Sequence, residues 1–385
     1  MNNIIIYRYK GGSVMKINKI FLSIIISIAI LLAIPMVSNA KTNETVKVNI
    51  TATDCYKEAY EVLKLVNKER KTAGLNELQM DKDLMEAAML RADELVLNFD
   101  HTRPDNTLCF SVSSKAYGEN IAYGFFSSDS VMQAWMNSPG HKANILGNYY
   151  TTIGIGAVKY GYTYYWVQLF GIYNLEKVKS IPNNEQKTRS VNVLADKIVP
   201  GKVEKVKISS TKDTSLKISW NSVKDAKGYK VYVYDYSKKQ YKYYGKTTST
   251  NFNIKGLKSA TQYKVRVRAY RDFFGTEYYG KYSDAIKTVT APKKVNKIKV
   301  KSKSKNSVKL NWNKVSGATG YKVYIYNAKT KKYEYYGKTK SKSITIKKLS
   351  KNKSYKIKVR AYKTFQGKQY FGENSNVLKV TTLKK

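Results

Sequence analysis

At 385 residues the chain is too long for one small hydrophobic core, so it divides into roughly two to four domains. Its formal net charge is +43, from 70 Lys and Arg against 27 Asp and Glu, and it holds only two Cys and two His. So little cysteine, none of it in a Cys-x-x-Cys pair, excludes a thiolate zinc knot; Cys55 and Cys109 are left either as one disulfide or as two small buried thiols.

The charge is unevenly spread. Residues 41–170 hold 13 Lys and Arg against 15 Asp and Glu, whereas residues 198–385 hold 48 against 9. A near-neutral front is followed by a polycation, and a polycation meets polyanions.

At the N-terminus, Lys16 and Lys19 precede an apolar stretch from Ile20 to Val37, and Ser38-Asn39-Ala40 follows with small residues. This pattern predicts a signal peptide over residues 1–40, cleaved after Ala40, with Met15 as an alternative start; an uncleaved membrane anchor is the other reading. No second long apolar run occurs, so no transmembrane span is expected in the mature chain, which would be secreted or held at the cell surface.

A front domain is expected over residues 50–172. Thr53 and Asp54 can cap a helix in which Ala59, Val62, Leu63 and Val66 recur at helical spacing, with Gly74 ending it. Asp81 opens a second helix with Leu84, Ala87, Ala88 and Leu95 on one side. Ser128 starts a third, carrying Val131, Ala134 and Trp135, which Pro139-Gly140 stops. Alternating runs at Ile153–Val158 and Tyr164–Phe170, around Tyr160-Gly161-Tyr162, predict an antiparallel hairpin. Helices first and paired strands last give an α+β class.

Both histidines fall in this domain beside distinctive motifs: His101 in Phe99-Asp100-His101-Thr102-Arg103-Pro104, and His141 in Ser138-Pro139-Gly140-His141-Lys142-Ala143-Asn144-Ile145-Leu146. Between them lies Gly118-Glu119-Asn120-Ile121-Ala122, in which Gly118 and Asn120 read as turn and cap residues. With the helix Val62–Arg70, the following Ala73-Gly74-Leu75 and the strand Ile153-Gly154-Ile155-Gly156, these motifs resemble the CAP superfamily (cysteine-rich secretory protein, antigen 5, pathogenesis-related) in its bacterial form. The resemblance implies an α-β-α sandwich with a cleft lined by two histidines and two acidic residues. His101, Glu119 and His141 match three of those positions. Where the fourth acid is expected, this chain reads Met136-Asn137-Ser138.

Three roles are open for this trio. Neutral imidazoles ligate a divalent metal such as zinc, with Glu119 as a third ligand or a base. A histidine polarised by Glu119 can act as general base. Or the three side chains hold loops in place. No activated nucleophile accompanies them and no Gly-x-Ser-x-Gly element is present, so no catalytic residue is assigned.

Residues 173–197 are polar and without period, which predicts a flexible linker. Beyond it the chain repeats itself at an offset of 92 residues: Trp220 with Trp312, Gly228-Tyr229-Lys230-Val231-Tyr232 with Gly320-Tyr321-Lys322-Val323-Tyr324, and Arg268-Ala269-Tyr270 with Arg360-Ala361-Tyr362. Short alternating strands and an early core Trp predict two all-β sandwiches, at 198–292 and 293–385. They resemble fibronectin type III modules, with Leu257–Tyr263 and Leu349–Tyr355 as tyrosine corners. The second copy is the more basic, with 28 Lys and Arg against 2 acids. The expected partners are anionic cell-wall polymers or host-surface polyanions, through lysines alternating with tyrosines; no specific nucleic-acid motif is present. The expected function is therefore an extracellular protein whose cationic tail binds an anionic envelope and whose head binds a ligand or metal. A metal-assisted hydrolase delivered by the tail is the alternative.

Overall fold

The computed structural model describes residues 44–172, 178 and 180–385; the signal-peptide reading of residues 1–40 lies outside them. Among the described residues, no helix is long and apolar enough to cross a membrane. The chain separates into two compact units, Met1–Lys197 and Ile198–Lys385.

In the first unit, β1 (Thr45–Asp54) leads directly into α1 (Tyr56–Thr72). Thr53 and Asp54 therefore end a strand rather than cap a helix, and Cys55 takes the cap position without a side-chain bond. β2 (Gln79–Met80) precedes α2 (Lys82–Leu97), whose cap is Asp81 as its position suggests: its carboxylate accepts from the Leu84 amide at 2.9 Å. β3 (Gly118–Tyr123), α3 (Ser128–Met136) and α4 (Pro139–Ile145) follow. Pro139 does not merely stop α3. It occupies the first turn of α4, where a missing N–H costs nothing, and so starts the helix that carries His141. β4 (Thr152–Tyr160) and β5 (Thr163–Gly171) form the expected hairpin, turning at Gly161 with φ +59°.

The sheet runs β3-β5-β4-β1-β6, with β2 alongside β4. β4 is buried from Thr152 to Val158, so both of its faces are covered. On one face, Gly154 and Gly156 lie against the backbone of α2 at Leu84 and Ala88; a Cβ at either position would overlap that backbone. α1 packs against β4 and α3, and α3 against α4. The α+β class and the layering of helices on sheet agree with the sequence reading.

The sixth strand, β6 (Glu185–Leu194), corrects the linker reading. It pairs antiparallel with β1 at ten positions, from Glu185 opposite Asp54 to Leu194 opposite Thr45. The strand escapes a periodicity search because only Val191 and Val193 are buried. Its anchor is polar instead: Arg189 donates to Asp54 at 2.7 and 2.5 Å and to Asp93 at 2.9 Å, and both carboxylates are fully buried. The strands of the head thus begin at Thr45 and end at Leu194, outside the expected bounds of 50–172.

In the second unit the first module contains β7 (Lys207–Thr211), β8 (Leu216–Ser219), β9 (Gly228–Asp235), β10 (Gln240–Thr247), β11 (Asn251–Ile254), β12 (Gln262–Phe273), β13 (Thr276–Tyr279) and β14 (Ile286–Val289). One sheet is β11-β8-β7; the other is β10-β9-β12-β13, with β14 also on β12. The second module repeats this order in β15 (Lys299–Lys303), β16 (Val308–Asn311), β17 (Gly320–Asn327), β18 (Lys332–Thr339), β19 (Ser343–Ile346), β20 (Ser354–Phe365), β21 (Lys368–Phe371) and β22 (Leu378–Thr381). Trp220 and Trp312 are buried core residues, edge-on to Tyr229 and Tyr321 at 5.3 and 5.2 Å. The tyrosine corners form: Tyr263 and Tyr355 hydroxyls each accept a backbone N–H at 2.8 Å, from Lys258 and Ser350.

Candidate functional site

The site grows from β3, which is buried from Gly118 to Ala122. Gly118 and Asn120 are therefore strand residues, not turn and cap residues. Gly118 is where β3 meets the ring of Tyr150, leaving no room for a Cβ. Asn120 is fully buried and ties α4 to the sheet: its Nδ2 donates to the His141 carbonyl at 3.1 Å and to Gln168 Oε1 at 2.9 Å, and its Oδ1 accepts from Asn144 at 2.8 Å. Asn120, Asn144 and Gln168 thus position His141, a role no sequence pattern signalled. Trp135, fully buried on α3, is core, as expected.

Glu119 is the centre. Its side chain is almost fully buried, so it is not a solvent-facing group. Arg91 of α2 donates from Nε to Oε1 at 2.8 Å, and His101 Nδ1 lies 2.7 Å from Oε2. Burial alone would favour the neutral acid, yet His101 and Arg91 together hold the carboxyl below its ordinary value. Glu119 is ionised, so the hydrogen on this contact belongs to His101 Nδ1. In neutral His101, Nε2 then keeps its lone pair.

Arg91 is itself shared. Its Nη1 donates to Glu94 at 2.9 Å and its Nη2 to the Asp100 carbonyl at 3.0 Å, at the base of the loop that carries His101. Arg103 closes the network with bonds of 2.6 to 3.1 Å onto Glu94. Two guanidiniums balance two carboxylates beneath the imidazole. The acid that is missing after Trp135 has no direct counterpart here, but α2 supplies Glu94 one residue deeper in the network. Sequence reasoning had no signal for Arg91 or Glu94, because a charged residue on a helix reads as solvated until the packing is known.

His141 is buried, and its pKa is pushed down to about 4 by desolvation, with a further contribution from His101. The two imidazoles therefore feel each other, and His141 is neutral at neutral pH. Cys109 also enters the site. The donor atoms of His101, Cys109 and Glu119 lie within 4.8 Å of one another, a group that does not include His141. Burial and the nearby Glu119 push the Cys109 thiol up to about 12, and Cys55 to about 12 likewise; both are free and buried, so no disulfide joins them.

The donor chemistry sorts these side chains for a divalent ion. The imidazoles fit: His141 is neutral, and with Nδ1 turned to Glu119 the nitrogen that His101 leaves free is Nε2. Glu119 fits as the acceptor that orients His101, not as a ligand, because both its oxygens are taken. Cys109 would have to lose its proton to ligate, which burial and Glu119 oppose until an ion is bound.

Comparison with known proteins agrees with these domains. The cysteine-rich secretory protein family matches residues 63–170, and the fibronectin type III domain matches 201–287 and 290–379. Two Bacillus subtilis proteins are similar: uncharacterized protein YkwD, 39% identical over 140 residues, and uncharacterized membrane protein YlbC, 30% identical over 111 residues. These matches take in 34% and 27% of this chain and 52% and 32% of those proteins, so the chain spans about half or less of the relatives' length. Among solved structures, a two-domain fibronectin type III segment of chicken tenascin is 17% identical with TM-score 0.31, covering 47% of this chain and 99% of its own. The FN1–FN3 domains of chicken CNTN1 are 16% identical with TM-score 0.30, covering 57% and 82%. Residues 63–170 are accordingly a domain of the cysteine-rich secretory protein family, and residues 201–287 and 290–379 are two fibronectin type III domains.

Proposed function

We propose that this chain works outside the cell, as proteins with these two domain types typically do, with the fibronectin modules holding it on an anionic polymer of the envelope and the head presenting a ligand site. The observation that carries this reading is the segregation of charge: 48 Lys and Arg against 9 acids in residues 198–385, beside a front that is near neutral. A field of that size exceeds what solubility needs. It concentrates the protein on a polyanion by long-range attraction that salt screens. Full-length protein should bind immobilised wall polymer tightly at low ionic strength and be released as salt rises. Binding indifferent to salt would refute the charge mechanism.

In the head, His101 and His141 are the residues to hold a divalent cation such as zinc, with Glu119 fixing the tautomer of His101. When bound, such an ion would supply Lewis acidity or a bridge to an anionic ligand group. The burial of Glu119 between Arg91 and His101 favours binding over hydrolysis: its oxygens are committed, so it is poorly placed to take a proton from a substrate or water. Calorimetric zinc titration of full-length protein tests this part. Heat of binding that disappears in His101→Ala and His141→Ala, but only weakens in Glu119→Gln, is the expected result. No zinc uptake by folded wild type would remove the metal, and peptide or wall hydrolysis lost in the His variants would restore the hydrolase.

A further inference from the structure

The two modules share a fold and differ in charge. None of the seven acidic residues of the first module recurs in the second: at the same offset, Glu204 corresponds to Asn296, Asp235 to Asn327, Glu277 to Gln369 and Asp284 to Asn376. Two of the contacts survive the exchange. Lys202 Nζ lies 2.8 Å from Asp284 Oδ1, and Lys294 Nζ lies 2.7 Å from Asn376 Oδ1. The Ser237 amide donates to Asp235 at 2.9 Å, as the Lys329 amide does to Asn327 at 2.9 Å. At these two positions the amide keeps the hydrogen bond, so only charge is lost there.

Two of the losses meet on one sheet face: Thr364 stands for Asp272 and Gln369 for Glu277, opposite each other across β20 and β21. On β20, Lys356, Lys358 and Arg360 alternate with the buried Ile357, Val359 and Ala361, which places the three cations on the outer face about 7 Å apart. Lys322 on β17 is opposite Arg360, and Lys379 on β22 is directly opposite Lys356. Like charges facing each other across strands are destabilising unless something neutralises them. In the first module, Lys230, the counterpart of Lys322, lies 2.6 Å from the Glu277 carboxylate. In the second, Gln369 stands there. Among the described residues, no ion pair forms within residues 293–385.

The rings on this face shape the choice of ligand. Tyr326 and Tyr333 pack edge to face at 5.2 Å, and Tyr324 and Tyr335 at 6.0 Å. Lys358 sits 4.1 Å from the Tyr333 ring and Lys322 4.8 Å from that of Phe371. Of these rings only Tyr335 is largely open, at 54% exposed, which is one platform where successive bases need several. What the face presents is a row of lysine ammoniums beside the Arg360 guanidinium, charges suited to phosphate. We infer that the outer face of the β18-β17-β20-β21 sheet, centred on Lys322, Lys358 and Arg360, is the contact for a linear phosphodiester polymer of polyol units, and that the same face of the first module is a partly self-neutralised copy. This inference rests on the polyanion reading above and specifies where the polymer lies.

The probe is a fluorescent poly(glycerol phosphate) oligomer, titrated by anisotropy into full-length protein. K322Q/K358Q/R360Q should weaken binding at least about tenfold. The equal charge change on the other sheet of the same module, K299Q/K301Q/K309Q, and the first-module change K230Q/R266Q/R268Q should each cost no more than about threefold. Far-ultraviolet circular dichroism and melting check that each variant is folded, and K322R/K358R restores charge and should restore affinity. Equal losses in all three sets would overturn the inference while leaving the diffuse polyanion reading intact. No binding by wild type at low salt would remove both. Single-stranded DNA of equal charge binding more tightly than the polyol polymer would overturn the choice of ligand.

Discussion

The head and the modules use charge in opposite ways. In the head, Arg70, Arg91, Asp93, Glu94, Asp54 and Glu119 are buried and paired or hydrogen-bonded, and they decide where strands and loops sit. In the modules the buried polar residues are only serines and threonines, and the lysines lie outside a wholly apolar core. Charge in the head is therefore structural, sensitive to pH and to single substitutions. Charge in the modules is a field, sensitive to salt and tolerant of single substitutions.

The sharpest break between the two regions is Arg91→Met. It leaves Glu94 and Glu119 buried without their shared partner, which costs roughly 3–5 kcal/mol. Calorimetry of the full chain should show the head transition lost or greatly lowered and the module transition unmoved. By contrast Lys358→Gln should shift neither by more than about 0.5 kcal/mol. An Arg91 variant with an unchanged head transition would show that the network is not what holds the site.

Gly154→Ala comes next. The added Cβ meets the backbone of Leu84, which cannot rotate away as a side chain would, so head stability should fall by about 1–3 kcal/mol, read as a lowered head melting temperature.

The pH profile follows. His141 has a folded pKa of about 4 against an ordinary 6.5, so its share of stability is present above 6.5 and lost as pH falls towards 4. Asp93 runs the other way: burial raises it from 3.8 to about 6, so its share is present below 3.8 and lost as pH rises through 6. Each is worth up to about 3 kcal/mol. Over this window they oppose, and with chelator present the wild-type profile should be flatter than either alone. Asp93→Asn should leave a head whose melting temperature climbs as pH rises from 4 to 6.5; a profile unchanged from wild type would contradict both assignments.

The smallest effect concerns the thiols. With both pKa values pushed up to about 12, Cys55 and Cys109 should resist maleimide in the folded protein at mildly alkaline pH and react once denatured. Rapid labelling of the folded state would show that Cys109 is more open and acidic than its contacts require.

These tests also mark what the sequence made legible. Apolar periodicity located α1, α2, α3, the β4–β5 hairpin and both sandwiches, because each buries a regular stripe. It missed β6, which is held by Arg189 between two buried aspartates, and it missed α4, where Pro139 read as a stop. His101 and Glu119 were legible as a pair through their motifs. That Glu119 would lie beneath His101 on the Arg91 guanidinium was not, since the partner comes from 28 residues away on another element. Cys109 escaped for the same reason: proximity of eight residues along the chain carries no information about space.

The central claim is that the second module has lost the seven carboxylates of the first for a partner and not for its fold. The direct measurement restores them: N327D/Q369E/N376D in the full chain, with melting of the module transition and affinity for poly(glycerol phosphate) recorded together. The account predicts a melting temperature that holds or rises, as repulsion is relieved, and an affinity that falls by about tenfold. Unchanged affinity, or restored acids that unfold the module, would contradict it.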